Sequence, residues 1–276
     1  MKKMTLLLCL CLWVVAWRPP VSINQLNKAR KGAEMVAGAA HEITEEEEYY
    51  IGRAVAANIL SQYPLWKNKP LGQYLNLVGK ALVLKSRRPE IFGGYHFAFL
   101  DSSEVNALSA PGGIIFLSRG IVEMAENEDE LAAILAHEIQ HIVNKDPLKA
   151  IRSSRLTALG TYAAGEALGS SNEVLGIFKD SVMDISGTLL QKGYSRSQEK
   201  DADLAALQLL ATTGYNPQAL LAMLEKCRAS EAKKAGAFSA HPSASKRIAY
   251  VKAALGNFAS CDMRVRSSRF KKSIPR

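Results

Sequence analysis

The pentapeptide His137-Glu138-Ile139-Gln140-His141 constrains this 276-residue chain more than any other feature. Positions i and i+4 of an α-helix share a face, so a helix through this segment aims both imidazoles at one point, where they can hold a single divalent metal. Glu138, beside the first histidine, is placed to take a proton from water at the metal's open position. HExxH fixes only three positions and also occurs on charged surface helices. Its surroundings argue for a buried one. Leu131, Ile134, Leu135, Ile139, Ile142 and Val143 recur at helical spacing, and Glu128, Asp129 and Glu130 stand at the positive end of the helix dipole. The spacing predicts a largely buried helix over Glu128 to Val143.

A second helix is expected to open in Tyr194-Ser195-Arg196-Ser197-Gln198-Glu199 and to continue through Leu204, Leu207, Leu209 and Leu210. Glu199 and Asp203 share one of its faces. Hydrolytic zinc sites commonly combine three protein ligands with a water. Glu199 therefore completes a His2Glu set with His137 and His141, and Asp203 accepts a hydrogen bond from a ligand imidazole.

HExxH with a downstream Glu-x-x-x-Asp resembles the gluzincin metallopeptidases. With His241-Pro242-Ser243, Arg247 and the segment from Asn106 to Gly113, the set is similar to the branch containing HtpX and the CAAX prenyl endopeptidases, its soluble exported members above all. The likeness runs from Thr44 to Leu255. It implies an α+β, predominantly helical fold with a small antiparallel sheet, one Zn2+ per chain, and His241 and Arg247 near the metal, where they stabilise the oxyanion of the transition state. By itself, His241 before Pro242 and Ser243 also reads as a turn residue at a helix start. Near zinc an imidazole either donates to the oxyanion or swings inward as a fourth ligand that displaces the catalytic water. The first role is expected, so that loss of His241 lowers activity.

Local signals place the remaining elements. Thr44-Glu45-Glu46-Glu47 is a capping box opening a helix towards Leu60, and Leu71 to Leu84 suggests another. Tyr95, Phe97 and Phe99 alternate with His96, Ala98 and Leu100, which makes His96 a strand residue rather than a ligand. Short strands around Val105 to Leu108 and Gly113 to Leu117 complete the sheet. If Gly113, Ile114, Ile115 and Phe116 form an edge strand above the metal, an extended peptide can pair with them, which suits unfolded polypeptides as substrates.

At 48% hydrophobic and 22% charged, the chain can bury one substantial core, assigned to a catalytic domain over 44–258. Residues 1–16 read as a cleavable secretory signal: two lysines precede a twelve-residue apolar run from Leu6 to Trp17, shorter than the roughly 20 residues needed to span a bilayer. Lipid attachment at Cys9 or Cys11 is disfavoured by the leucine before each. A linker over 17–43 follows. Thr157 to Gln191 is interrupted by Glu166, Glu173, Lys179, Asp180 and Asp184, so soluble helices beside the site are expected there rather than a membrane span. Outside the leader, Cys227 and Cys261 are either a disulfide or two separate thiols. The net charge of +9 draws on a tail over 259–276, which holds six basic residues and no acid from Arg264 onwards. Such a tail is expected to be solvated and mobile, able to adhere to anionic membrane surfaces. Without aromatic stacking motifs, and for an exported chain, it does not point to nucleic acid. The reading is an exported, periplasmic or secreted, zinc-dependent metalloendopeptidase acting on unfolded or misassembled proteins. The competing class is a zinc-bearing chaperone or scaffold that binds exposed strands without cutting them.

Overall fold

A computed structural model describes residues 42–149, 182–183, 185–231, 241, 243–259, 261 and 264–274, together with Ile23 and Arg30. The expected signal, most of the linker and most of the helices expected between Thr157 and Gln191 lie outside the described residues.

Helix α1 (Glu45–Gln62) opens with the expected capping box: the Glu47 N–H donates to Thr44 Oγ1 (3.2 Å) and the Thr44 N–H to Glu47 Oε2 (2.8 Å). Helix α2 (Lys69–Val83) is capped by Asn68 and turns Leu71, Leu75, Val78 and Leu82 inward. Strands β1 (His96–Leu100), β2 (Ala107–Ala110) and β3 (Ile114–Ser118) follow, then α3 (Arg119–Met124), α4 (Glu128–Val143), a π-helical turn (Thr188–Lys192), α5 (Arg196–Thr213), α6 (Gln218–Glu231), α7 (Ala244–Leu255) and α8 (Arg264–Ser273).

The sheet is mixed, not antiparallel as expected, with order β1-β3-β2. The hairpin at Pro111-Gly112-Gly113 makes β2 antiparallel to β3, whereas β1 lies parallel to β3 on its other side. The connection from β1 to β2 therefore crosses the end of β3. Gly120 makes room for it: its N–H donates to the Ser102 carbonyl (3.0 Å), and a Cβ there would sit 2.4 Å from the Ser103 carbonyl oxygen. Gly112 and Gly113 take φ of +68° and +82°, open to glycine at little cost, and the Gly112 N–H donates to buried Glu48 on α1 (3.2 Å).

Helix α4 is the spine of the molecule. Every residue from Glu128 to Ile142 is buried, with Leu131, Leu135, Ile139 and Ile142 fully so, each contributing about 1.5–3 kcal/mol by leaving water. It packs against α2, the sheet, α5 and α6.

The described part of the basic tail is not a solvated end. Phe270 of α8 and Ile274 just beyond its end, four apart, are buried in the core, Arg266 Nε and Nη2 donate to Asp129 (2.9 and 3.0 Å), and Arg269 pairs with Glu128. Tyr74 (2.6 Å) and Tyr215 (3.0 Å) also donate to Glu128. The acidic start of α4 is thus a buried dock for α8. Cys227 and Cys261 are not joined by a disulfide.

Candidate metal centre

The α4 periodicity brings His137, Glu138 and His141 to one side of the helix, and the face of α5 bearing Glu199 and Asp203 lies against them. Serine 195 and Gln198 form the capping box that starts α5 one turn before Glu199. All five side chains are buried. His137 Nδ1 lies 2.9 Å from Asp203 Oδ1, and His141 Nδ1 lies 2.8 Å from Asp146 Oδ2. An ionised carboxylate can only accept, so each Nδ1 carries a proton, and in the neutral imidazole Nε2 is the atom left with a lone pair for a metal. Those two Nε2 atoms face one another at 3.1 Å. Two lone pairs at that distance repel unless a proton or a cation lies between them. Glu199 closes the third side, 3.6 Å from His137 Nε2 and 3.7 Å from His141 Nε2.

The donor set fits a metal ion. Two nitrogen ligands at about 2.0–2.1 Å and a tetrahedral angle are about 3.3 Å apart, close to the observed spacing. Burial, with the Arg247 cation beside it, pushes the His137 pKa below its ordinary value, which keeps the imidazole neutral and available as a ligand. Glu138 Oε2 is buried with no hydrogen-bond partner, the condition of a carboxylate waiting for a water or substrate proton.

His241, just before α7, joins the cluster. One donor atom from each of His137, His141, Glu199 and His241 lies within 4.8 Å of the others. His241 Nδ1 is 2.7 Å from Glu199 Oε1 and Nε2 is 3.4 Å from Glu138 Oε1. Against the opposing effect of burial, these carboxylates hold the His241 pKa up at about 10 in the absence of a cation, and His241 in turn holds Glu138 down at about 2.

Arg247 also reaches the centre, but not with its guanidinium free for an oxyanion as the resemblance implied. Nε and Nη2 grip both oxygens of Asp203 (2.9 and 2.7 Å), and Nη1 lies 3.1 Å from Glu199 Oε2, close enough for an ion pair though not aligned as a hydrogen bond. Tyr250 donates to the same Asp203 (2.6 Å). Arg247 is a positioning residue for two carboxylates.

The strand Gly113 to Phe116 is not an edge. As part of β3 it is bonded to β1 on one side and β2 on the other, which leaves no edge for a peptide. The edge nearest the centre belongs to β2. Because the Ser118 N–H donates to the Asn106 carbonyl (3.0 Å), the main-chain groups of Ala107 and Ser109 point away from β3. Tyr194 donates to the Ser109 carbonyl (3.4 Å) and stacks on His141, ring centroids 4.1 Å apart. His96 is exposed and bonds the Gly93 carbonyl (2.8 Å), a strand residue as expected.

Sequence reasoning missed Asp146 and the role of Tyr194. Asp146 lies beyond the helix, where periodicity gives no signal. Its only mark is an acid five residues after the second histidine.

Residues 72–255 match the profile of peptidase family M48. The chain is 27% identical over 198 residues to the beta-barrel assembly-enhancing protease of Escherichia coli K12, covering 70% of this chain and 40% of that protein. It is 31% identical over 182 residues to the mitochondrial metalloendopeptidase OMA1 of Schizosaccharomyces pombe (65% and 51%), and 26% identical over 153 residues to the metalloprotease LoiP of Escherichia coli K12 (55% and 59%). The chain spans about 40% of the length of the assembly-enhancing proteases it matches.

Proposed function

We propose that this chain, which belongs to peptidase family M48, is a zinc-dependent metalloendopeptidase that cuts unfolded or misassembled polypeptides. The observation that carries the reading is the pair of Nε2 atoms at 3.1 Å, each imidazole braced from behind by a carboxylate, with Glu199 alongside. Two imidazoles and a carboxylate are a donor set that suits zinc better than the harder cations that take oxygen ligands. Bound there, zinc would lower the pKa of water and polarise the scissile carbonyl. Glu138 takes the proton of the attacking water through its free Oε2 and delivers it to the leaving amine. Asp203 and Asp146 fix the two imidazoles, and Arg247 fixes Asp203 and Glu199.

Substrate would lie extended along the outer edge of β2, pairing with the main-chain groups of Ala107 and Ser109 after the Asn106 side chain leaves the Ala107 N–H (3.0 Å) and Tyr194 leaves the Ser109 carbonyl. Pairing of this kind recognises backbone more than side chains, which suits unfolded chains. The apolar leader over residues 1–16 supports export, and among the described residues no helix is long and apolar enough to cross a membrane. Exposed Lys271 and Lys272 on α8 favour peripheral contact with an anionic membrane surface, each worth about 1 kcal/mol close to it.

Purified protein should contain one zinc per chain and degrade casein. 1,10-Phenanthroline should abolish the cleavage and added zinc restore it; cleavage indifferent to chelation would overturn the reading. The four-donor cluster with His241 favours one alternative, a zinc-bearing chaperone or scaffold whose metal is closed to water. It would hold unfolded protein without cutting it, with or without the chelator.

A further inference from the structure

When a peptide bond is attacked, negative charge gathers on its carbonyl oxygen, and a hydrogen-bond donor aimed there commonly accounts for about 100- to 1,000-fold in rate. The groups that surround the metal ligands are unequally free to act as that donor. Arg247 and Tyr250 are both committed to Asp203, the first at 2.9 and 2.7 Å and the second at 2.6 Å, and His241 lies 2.7 Å from Glu199. Bonds of that length to an ionised group are the strong ones. Tyr194 is held far more loosely. Its hydroxyl donates to the neutral Ser109 carbonyl at 3.4 Å. That is longer than the usual O–H···O bond of about 2.5–3.0 Å.

Two contacts fix where that hydroxyl lies. The Tyr194 ring stacks on His141, with centroids 4.1 Å apart and planes 28° apart, so one end of the side chain rests on a metal ligand. The other end reaches the outer edge of β2, where the Ser109 carbonyl points away from β3. The backbone of Tyr194 is anchored beside Ser195, the capping residue of α5, and the residue is buried. A peptide laid along β2 must carry its scissile bond between that edge and the metal, and therefore past the hydroxyl.

Pairing itself sets the hydroxyl free. A main-chain N–H of the substrate takes the Ser109 carbonyl, and a buried donor stripped of its acceptor is unfavourable until it finds another. The acceptor that arrives with the same peptide is the scissile carbonyl oxygen. A phenol still holds its proton at pH 7, and its hydrogen bond to an oxygen grows roughly twofold in strength as that oxygen becomes anionic. Such a bond favours the transition state over the bound substrate, which is what accelerates a reaction. We propose that Tyr194 is a catalytic residue, its hydroxyl passed from the Ser109 carbonyl to the scissile carbonyl oxygen when substrate pairs with β2. The proton stays on the tyrosine throughout. The assignment rests on the polypeptide-cleaving reading and on β2 as the edge that substrate joins.

Tyr194→Phe removes the hydroxyl and leaves the ring on His141. In the zinc-loaded full chain it should lower kcat for casein about 100-fold, with KM no higher and with zinc content and thermal unfolding unchanged. Binding gives a reading that needs no turnover. An alanine hexapeptide with one peptide bond replaced by a phosphinic group carries the tetrahedral, anionic oxygens of the transition state. Isothermal titration should show Tyr194→Phe binding it about tenfold more weakly than wild type does. The unmodified hexapeptide, titrated in the Glu138→Gln background so that it stays uncut, should bind no more weakly once Tyr194→Phe is added. Equal phosphinic affinity with and without the hydroxyl would overturn the assignment. So would a lower KM with kcat kept, which makes the hydroxyl a latch on β2 and nothing more. A wild-type chain that leaves casein intact sinks the cleaving reading alone, because the phosphinic comparison still decides Tyr194.

Discussion

Asp146 holds His141 as Asp203 holds His137: each accepts the Nδ1 proton of its imidazole, at 2.8 and 2.9 Å, and so turns the two Nε2 atoms towards one another. The two braces differ in what else they carry. Asp146 bonds Lys149 and Gln198, both near solvent, whereas Asp203 is locked to buried Arg247 and to Tyr250.

Asp146→Ala should therefore lower zinc affinity about 10- to 100-fold with the fold intact, measured by competition with a chromogenic chelator. Asp203→Ala should do more, because it takes both hydrogen-bond acceptors from the buried Arg247 cation and leaves it only the ion pair with Glu199. Breaking one side of a buried pair costs about 3–5 kcal/mol, so thermal unfolding should fall as well as zinc affinity. Wild-type affinity in Asp146→Ala would remove that residue from the centre.

Glu138→Gln keeps the shape of the side chain and removes its proton-accepting power. Zinc content should stay at one per chain while casein hydrolysis falls by orders of magnitude. Glu199→Ala removes the carboxylate ligand and with it the partner that holds His241 Nδ1, and should lose most of the metal. Full zinc occupancy in that variant, by elemental analysis, would mean that another group completes the set.

The helices that bear the centre are legible in the sequence because a 3.6-residue period both buries a stripe and aligns residues four apart, so His137, His141, Glu199 and Asp203 declare themselves. Asp146 does not, because Lys145 takes a positive φ of 54° and redirects the chain out of helical phase. The strands are legible individually, yet strand order is not. Alternation in Ile114 to Ser118 says which side chains are buried, not which neighbours bond the backbone, and β3 proved central because the chain crosses over Gly120. The polar composition of α8 likewise conceals Phe270 and Ile274, whose four-residue spacing suffices to dock it once Glu128 and Asp129 offer buried partners.

That dock gives stability a pH dependence. Burial alone would raise the Glu128 pKa, but bonds from Arg269, Tyr74 and Tyr215 hold it below the ordinary value of 4.5. A carboxylate depressed on folding contributes stability that is complete above its unfolded pKa and is lost as pH falls through the lower folded one. Glu128→Gln should unfold at a lower temperature than wild type at pH 7, and the gap should narrow as pH drops below about 4.5. Calorimetry from pH 7 to 3 checks this. A gap that stayed constant would mean that Glu128 acts through packing, not charge.

The position of His241 bears on which of its two roles it plays. An oxyanion donor should leave Glu138 and the metal ligands to their own work, yet Nδ1 of His241 lies 2.7 Å from Glu199 and Nε2 lies 3.4 Å from Glu138. The ring thus bridges Glu138 and Glu199, between the general base and the ligand set. Its donor atom also falls within 4.8 Å of those of His137, His141 and Glu199, the arrangement of a fourth ligand. The blocking role fits this position better than transition-state support. His241→Ala should therefore raise basal casein hydrolysis while zinc content holds at one per chain, since His137, His141 and Glu199 remain. Pairing it with Glu138→Gln should return hydrolysis to background, which shows that any gain comes from this centre. A fall in turnover with zinc retained would restore His241 to the role of oxyanion donor.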